Sequence, residues 1–370
     1  MKSLIVQENN LKSNIKIIKQ LINKNNEKNV KIIAVVKGNG YGLGLINYTK
    51  FLIDNGIDFF AVSTIEEAIK LRKSGMSKKI LMLSSTSVES EIIELIENNI
   101  ILTVGTEEAG NKIQEIAKEK NTQVKVHLKI DTGFGRHGFL YTEPEKIVEN
   151  VKKWTNIKIE GTFSHFSLSF YKKEKYTKLQ YARFIECVKK IQESKIPTGM
   201  LHICNSSATI KYPEMHLNAV RVGSALTGRS VIKKNSIELK RVGYLITNVS
   251  EIKYLPKGYN IGYSNSYKTK RNTQIAIIQC GYADGYNVIQ GKDMFRLVDK
   301  LRYIVREVKN FFKKNYLYVT INEQKCRVIG RVGMYHSIID ITEKNVKIGD
   351  IVKIDVNPIF INSDIERIFK

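Results

Sequence analysis

Residues 31–44 read KIIAVVKGNGYGLG, and they indicate the first unit of a series of alternating strands and helices. The first half of this stretch, KIIAVV, is a short apolar run of the kind that forms a strand buried on both faces. Lys37 ends the run, and a glycine-rich loop follows. Seven further strand candidates come after it, alternating with helix-like segments. They lie at residues 58–63, 80–84, 101–105, 124–130, 158–164, 199–204 and 217–222.

Eight strands that alternate with helices before residue 225 predict a closed (β/α)8 barrel of the TIM type. An open doubly wound sheet is the alternative, but it requires fewer strands or a glycine fingerprint. We predict an α/β protein with this barrel over residues 1–232 and an amphipathic helix at 11–25. The remainder, residues 233–370, is predicted to be a mainly β domain with a helical insertion near 293–314. Its strand candidates are 241–254, 274–280, 316–321, 326–332 and 348–355. The first eight or so residues are a candidate strand for the same domain.

The charge of the chain is the feature that most invites a wrong interpretation. The 370 residues include 60 Lys and Arg against 36 Asp and Glu, a formal net charge of +24. These cations are dispersed, which favours a solvated surface over a nucleic-acid or membrane site. No apolar run approaches the ~18 residues of a membrane span, and the N-terminus lacks a signal-peptide core. We therefore expect a cytoplasmic protein that binds neither nucleic acid nor a membrane.

The cysteines and histidines point away from disulfides and metals. The four cysteines are widely separated, with no CxxC pair, and the six histidines show no metal-ligand spacing. We expect reduced thiols and no metal.

Polar side chains gather where the predicted barrel strands end, which is where TIM-barrel enzymes have their active sites. Lys37 closes the first strand, and partial burial is expected to lower its pKa, as a Schiff-base lysine requires. Arg136 follows the fifth strand in a glycine-rich turn suited to a carboxylate. His165 lies at the end of the sixth strand and His202 lies in the seventh. The hydroxyls and loop amides that follow the seventh and eighth strands suit a phosphate. Each signal alone has an ordinary structural explanation, but together they favour a site.

A series of sequence blocks resembles the alanine racemase family, fold-type III enzymes that depend on pyridoxal 5′-phosphate (PLP). The block at residues 35–42, VVKGNGYG, resembles the lysine motif of that family. Further blocks follow in the family's order over nearly the whole chain. They read HLKIDTGFGRHG, GTFSHFS, HICNSSA, VRVG, IGYSNSY, GYADG and IGRVGM.

The resemblance implies a role for individual residues. Lys37 is implied to bind PLP covalently and to act as one acid/base group, with Tyr263 as the second. Tyr263 is implied to reach the site of a partner subunit, which makes a homodimer with shared active sites. The residues implied to hold PLP are Lys37, Tyr41, His165, His202, Asn205, Ser206, Arg221, Gly223 and Ser224. Those implied to lie near the amino-acid substrate are Arg136, Lys129, Tyr282 and Met334. Whether Lys129 is carbamylated stays open.

The implied reaction interconverts L- and D-alanine by two-base proton transfer at Cα. One group removes the proton from one face and an opposed group returns a proton to the other, while PLP acidifies the Cα–H bond. Arg221 is implied to face the ring nitrogen, and this argues against a PLP-dependent decarboxylase, which would use a carboxylate there. Supply of D-alanine as a cell-wall precursor and a catabolic role both remain open.

Departures from the family pattern lie mainly around the implied substrate entrance. Ser167 and Leu168 stand where the family has an Ala-Asp pair. Tyr335 replaces an aspartate, and Val288 replaces an arginine. These changes leave a racemase for serine, or for a broader range of amino acids, as an alternative. A non-catalytic PLP-binding protein is a further alternative, although such proteins generally lack the β domain and its tyrosine.

Overall fold

The computed structural model describes residues 2–23, 29–229, 237–291, 295–312 and 316–370. The chain divides into two compact units, of which one is Glu8–Val242. The other unit combines Met1–Gln7, which contains strand β1 (Ser3–Val6), with Gly243–Lys370. The predicted boundary between residues 232 and 233 lies outside the described residues.

Eight parallel strands close into a barrel within Glu8–Val242. They are β2 (Lys31–Val35), β3 (Phe59–Val62), β4 (Lys79–Ser85), β5 (Ile101–Val104), β6 (Val124–Asp131), β8 (Ile157–Phe163), β9 (Met200–His202) and β10 (Ala219–Val222). A further short strand, β7 (Phe139–Leu140), pairs with β6. Strands that follow one another along the barrel pair in parallel, and β10 returns to β2 with Arg221 opposite Ile33. The predicted (β/α)8 barrel is confirmed.

Helices connect the barrel strands. They are α1 (Glu8–Asn23), α2 (Lys37–Tyr41), α3 (Leu45–Asp54), α4 (Ile65–Lys73), α5 (Glu89–Glu97), α6 (Glu107–Glu119), α7 (Pro144–Lys153), α8 (Lys175–Glu193) and α9 (Ser206–Lys211). The amphipathic pattern explains α1, which buries Leu11, Ile15 and Ile18 on one face. Residues 24–25, the end of the helix predicted there, lie outside the described residues. Threonine caps begin α4 and α6, where the Thr64 and Thr106 hydroxyls accept backbone amide protons.

The second unit is mainly β. Its further strands are β11 (Tyr244–Leu255), β12 (Asn260–Ile261), β13 (Tyr267–Lys268), β14 (Thr273–Ile278), β15 (Tyr318–Ile321), β16 (Gln324–Ile329), β17 (Ser337–Asp340), β18 (Ile351–Asp355) and β19 (Glu366–Phe369). The order of the large sheet is β14-β17-β16-β15-β18-β11-β1-β19, and β14 also pairs with β11. Six strands therefore form a closed ring, and β1 and β19 extend it at β11. The mainly β domain is confirmed as a fold.

A helix interrupts this unit between β14 and β15. Helix α10 spans Leu297–Phe312, within the insertion predicted near 293–314. Residues 293–294 and 313–314 of that prediction lie outside the described residues. None of the helices in the described ranges is both long and apolar enough to cross a membrane.

The interior of the barrel has an apolar side and a polar side. Strands β2 to β5 and β10 contribute a buried cluster that includes Ile33, Phe59 and Leu81. Strand β6 instead directs two buried polar side chains, His127 and Lys129, to the interior, since residues two apart share a face of a strand. Lys129, one of the predicted site residues, lies on this polar side.

Candidate active site

The short segment α2, which carries Lys37, is a left-handed turn directly after β2 and not a regular α-helix. The residues at positions 38–41 have φ angles of 64°, 53°, 65° and 53°. Glycine at two of these four positions relieves the strain that such angles impose on a residue with a Cβ atom. The Asn39 side-chain oxygen accepts a proton from the Leu45 amide at 2.9 Å, and the Asn39 amide donates to Glu67 at 3.1 Å. The turn is thereby tied to α3 and α4.

The environment of Lys37 favours its neutral amine. Burial lowers the pKa of Lys37, and the positive charge of Arg136 lowers it further, whereas Glu67 raises it. The neutral amine is the form that can attack a carbonyl carbon or accept a proton. This is the property that the sequence predicted for a lysine at the end of a barrel strand.

Arg221 is the centre of a buried hydrogen-bond network. Its Nη1 donates to His202 Nδ1 at 2.7 Å and to the His202 carbonyl oxygen at 3.1 Å. Its Nη2 donates to the carbonyl oxygens of Ser164 at 2.6 Å and Ile203 at 3.2 Å, and to His165 Nδ1 at 3.1 Å. Burial lowers the pKa of Arg221 to about 10. The guanidinium therefore remains charged at neutral pH, and its donors fix the histidines around it.

The arginine determines the protonation of the histidines. Because a guanidinium has no acceptor, Nδ1 of both His202 and His165 must accept. His202 then carries its proton on Nε2 and donates it to His127 Nδ1, 2.8 Å away. Burial and Arg221 lower the pKa of His165 and of His202 well below its ordinary value, and burial with nearby cations lowers the pKa of His127 to about 3. Arg221 therefore donates a hydrogen bond to His202, and His202 donates one to His127.

His127 belongs to this hydrogen-bond network, although the sequence did not identify it as a candidate. It lies in the middle of β6 and not at its end, where candidates were sought. Its ring lies edge-on to Phe59 and tilted against His202, which stacks on Phe163 with a centroid distance of 4.9 Å. The strand alternation with Lys129, two residues later, was the signal that could have found it.

Lys129 and Arg136 add positive charge to the same part of the barrel. Burial, Arg221 and Arg136 together lower the pKa of Lys129 to about 7. Arg136 is exposed on the loop after β6, with its guanidinium carbon 4.6 Å from the centroid of the Phe134 ring. Asp131 shapes this loop, because its carboxylate accepts three successive backbone amide protons, each at 2.8 Å. Such a cationic group suits an anionic ligand.

The residues predicted to hold a phosphate meet at the ends of β9 and β10. The Ser206 hydroxyl oxygen accepts amide protons from Gly223 at 3.0 Å and Ala225 at 3.3 Å. A Cβ atom at Gly223 would collide with the Tyr41 ring, so glycine permits the close approach of Tyr41. Burial raises the pKa of Tyr41, which keeps its hydroxyl protonated as a donor.

The flanking predicted residues hold this region in place. The Asn205 side-chain oxygen caps α9 by accepting the Ala208 amide proton at 3.1 Å, and it also accepts from the Ser169 hydroxyl at 2.9 Å. Ser224 is half-buried, and its carbonyl oxygen accepts from the Thr227 hydroxyl at 2.9 Å. The loops after β9 and β10 are thus braced by short-range hydrogen bonds.

Three predicted site residues lie in the β unit and are presented by its backbone. Tyr263 lies on a short turn after β12 and is 75% exposed, while Tyr282 and Met334 are 49% and 50% exposed. The Tyr282 amide donates to the Gly333 carbonyl oxygen, and the Ala283 amide donates to that of Met334, both at 3.0 Å. These hydrogen bonds bring the Tyr282 and Met334 segments side by side. The side chains themselves remain accessible.

Comparison with known proteins accounts for both units. The family model described as alanine racemase, N-terminal domain, matches residues 6–231, and that for the alanine racemase C-terminal domain matches 242–358. The chain belongs to the alanine racemase family. Alanine racemase of Methanococcus maripaludis is 34% identical over 352 residues, which cover 93% of this chain and 86% of that protein. That of Clostridium tetani is 36% identical over 333 residues, or 88% and 80% of the two chains.

Solved structures agree with this assignment. A structure of alanine racemase from Clostridium difficile 630 superposes with a TM-score of 0.86 at 28% identity, covering 100% of this chain and 95% of that one. Membership in the alanine racemase family confirms the predicted enzyme class, a PLP-dependent amino-acid racemase. The residues present fit the cofactor: Lys37 has a lowered pKa, hydroxyl side chains gather at the ends of β9 and β10, and glycine at position 223 leaves room for Tyr41.

Proposed function

We propose that the protein interconverts L- and D-alanine with PLP held at Lys37. The observation that carries this proposal is the grouping of a lysine of lowered pKa with Lys129, Arg136 and Arg221 in one unit of the chain. The amine can bind the aldehyde, and the cations can bind the substrate carboxylate and donate a hydrogen bond to the cofactor ring. When bound, PLP withdraws electrons from Cα of the amino acid and so acidifies its proton.

Two residues of the chain move the proton. The Lys37 Nζ takes the Cα proton from one face or returns one to it, and its lowered pKa favours the neutral amine that accepts a proton. We assign the opposite face to the Tyr263 hydroxyl. With an acid/base group on each face, a proton removed from one side is replaced on the other, and the configuration at Cα is inverted.

Arg221 is assigned to the ring nitrogen of the cofactor. A guanidinium with a pKa of about 10 donates a hydrogen bond and retains its proton near neutral pH, whereas a carboxylate would favour a protonated ring. His165 and His202 hold its orientation through the hydrogen bonds described above. This arrangement favours racemisation over decarboxylation because it moderates the electron withdrawal by the ring.

Substrate and phosphate are assigned to the remaining site residues. Arg136 binds the substrate carboxylate, with Lys129 nearby, and Tyr282 and Met334 border the substrate side chain. The phosphate is assigned to the residues around the ends of β9 and β10, which are Tyr41, Asn205, Ser206, Gly223 and Ser224. The hydroxyl groups of Tyr41, Ser206 and Ser224 are donors of the kind that a phosphate uses.

We further propose that the protein is a homodimer with active sites shared between subunits. In this arrangement the barrel is the PLP-binding domain, and the β domain of the partner supplies the second acid/base group. The 75% exposure of Tyr263 supports it, since an acid/base group must be shielded from water when it acts. A cytoplasmic location and the supply of D-alanine as a cell-wall precursor complete the proposal.

The experiment that tests the reaction is chiral chromatography of products. The PLP-loaded protein is incubated with L-alanine, L-serine and a panel of other L-amino acids in turn. We expect D-alanine to form fastest. A preference for L-serine would support the broader-substrate alternative, and the absence of any D-product from a PLP-loaded protein would contradict racemase activity.

A further inference from the structure

Helix α10 exposes one continuous apolar face. At 100° per residue its eight apolar side chains fall within an arc of about 140°. They are Leu297, Val298, Leu301, Ile304, Val305, Val308, Phe311 and Phe312. Each of these side chains is between 53% and 86% exposed, and the helix buries only Asp299. The reaction proposed above makes no use of this surface.

The helices around the barrel behave differently. Helix α6, for example, buries Ile113 and Ile116 along its apolar face, and its charged side chains face water. An exposed apolar surface as long as that of α10 is uncommon in a soluble protein and marks a site of interaction.

Basic side chains lie at both margins of the apolar arc. On the helical wheel, Lys300 lies at one margin beside Glu307, and Arg302 and Lys309 lie at the other. The helix carries four Lys and Arg against two Asp and Glu, so its formal charge stays positive. The Asp299 carboxylate accepts hydrogen bonds from Arg302 at 2.9 Å and from Arg296 at 2.6 Å, which compensates its negative charge. An apolar face bordered by cations matches the boundary between acyl chains and anionic headgroups in a bilayer.

We propose that α10 lies in the surface of a membrane that contains anionic phospholipids. The apolar face enters the acyl boundary, and Lys300 and Lys309 reach the headgroup phosphates. At 16 residues the helix is roughly 24 Å long and too short to span, so it lies in the plane of the interface. This proposal goes beyond the racemase reaction and departs from the expectation, drawn from dispersed lysines, that the protein binds no membrane.

Vesicle flotation of the PLP-loaded full chain tests the proposal. The probes are vesicles of phosphatidylcholine alone and of phosphatidylcholine mixed with phosphatidylglycerol. We expect binding to the mixed vesicles only, weakened by salt. Val308→Glu places a charge in the apolar face and should lower the partition coefficient about tenfold. Lys300→Glu with Lys309→Glu should lower it at least about tenfold, since each cation contributes about 1 kcal/mol, or about fivefold.

The matched control is Lys152→Glu with Lys153→Glu, the same charge change at exposed positions on α7. This control should keep most of the binding. Racemase activity in solution reports folding for every variant, and Leu301→Ser is a second apolar variant if Val308→Glu lowers the yield. Three outcomes would overturn the proposal. In the first, the wild type does not bind the mixed vesicles. In the second, the apolar variants bind them as well as the wild type does. In the third, the apolar variants change the oligomeric state in the absence of vesicles, which would mean that the apolar face packs against a second copy of the chain.

Discussion

The two halves of the proposed site are built in opposite ways. In the barrel, Arg221 and His202 are both buried. The Arg221 guanidinium donates hydrogen bonds to the His202 ring and to backbone carbonyl oxygens. In the β unit, Tyr263 and Met334 have exposed side chains, and what is fixed there is the backbone of the turns. The barrel half is a preorganised network of side chains, whereas the β half is a set of side chains presented to a surface.

The difference follows from what each half does in the proposed reaction. A cofactor that stays bound needs a fixed electrostatic environment, which buried hydrogen bonds supply. Residues that contact an exchanging substrate must be accessible in the free subunit. We therefore expect substitutions in the barrel half to affect stability and chemistry together. Substitutions at Tyr263 should affect chemistry with little effect on folding.

The largest effect is expected for Lys37→Ala. This change removes both the covalent attachment of PLP and one acid/base group, and racemisation should fall by about 10⁴-fold or more. Borohydride reduction followed by mass spectrometry of the intact chain measures the attachment, and chiral chromatography measures the rate. Lys125→Ala, at an exposed position on β6, is the control. Reduced PLP still attached to the variant, or near-normal turnover, would show that the proposed attachment site is wrong.

Arg221→Lys should have the next largest effect. A lysine cannot reproduce the planar set of donors that holds His202, His165 and two further carbonyl oxygens. We expect kcat to fall about a hundredfold, with a loss of stability. Arg72→Lys is a matched control, because Arg72 in α4 also donates to backbone carbonyl oxygens, but these belong to the segments that follow α4 and α5. It should lower stability and leave kcat unchanged; equal kcat values for the two variants would remove Arg221 from the mechanism.

Gly161→Ala tests the inner end of the histidine chain. A Cβ atom there would lie 2.5 Å from the His127 ring, so the ring must move and its hydrogen bond to His202 must break. We expect a loss of about 1 to 3 kcal/mol in unfolding free energy and a fall in kcat of about threefold to tenfold. Gly291→Ala, where a Cβ atom meets nothing within 4 Å, is the control. A destabilised variant with full kcat would mean that His127 has only a structural role.

The smallest effect is expected in the pH dependence of stability. With a pKa of about 7, Lys129 is charged in both the folded and the unfolded chain at pH 6, so the cost of burying its charge is fully present. Between pH 7 and about 10 the unfolded chain keeps a proton that the folded chain has released, and stability therefore rises with pH. Lys129→Met should be more stable than the wild type by about 1 to 2 kcal/mol at pH 6, and this advantage should shrink toward pH 10.

Urea unfolding at both pH values measures this difference, with Lys125→Met as the control on the exposed face of the same strand. A constant difference across the pH range would show that Lys129 titrates normally in the folded protein.

The sequence predicted the barrel well because each βα unit carries its own periodicity. The eight barrel strands and α10 were found from local patterns. Strands β17 and β19 were not, because each has only four residues, and β19 pairs with β1 from the other end of the chain. The sequence also placed polar candidates at strand ends but missed His127 and the stacking of His202 on Phe163. A polar side chain in the middle of a strand was not found because candidates were sought only where strands end.

A mixed dimer shows whether Lys37 of one protomer and Tyr263 of its partner form a single active site. One tagged protomer carries Lys37→Ala and the other, with a different tag, carries Tyr263→Phe, and the dimer that bears both tags is purified. If each site combines Lys37 of one protomer with Tyr263 of its partner, one of the two sites is intact, and about half of the wild-type activity should return. Activity no higher than that of the two single-variant proteins would contradict the account, as would a fully active monomer.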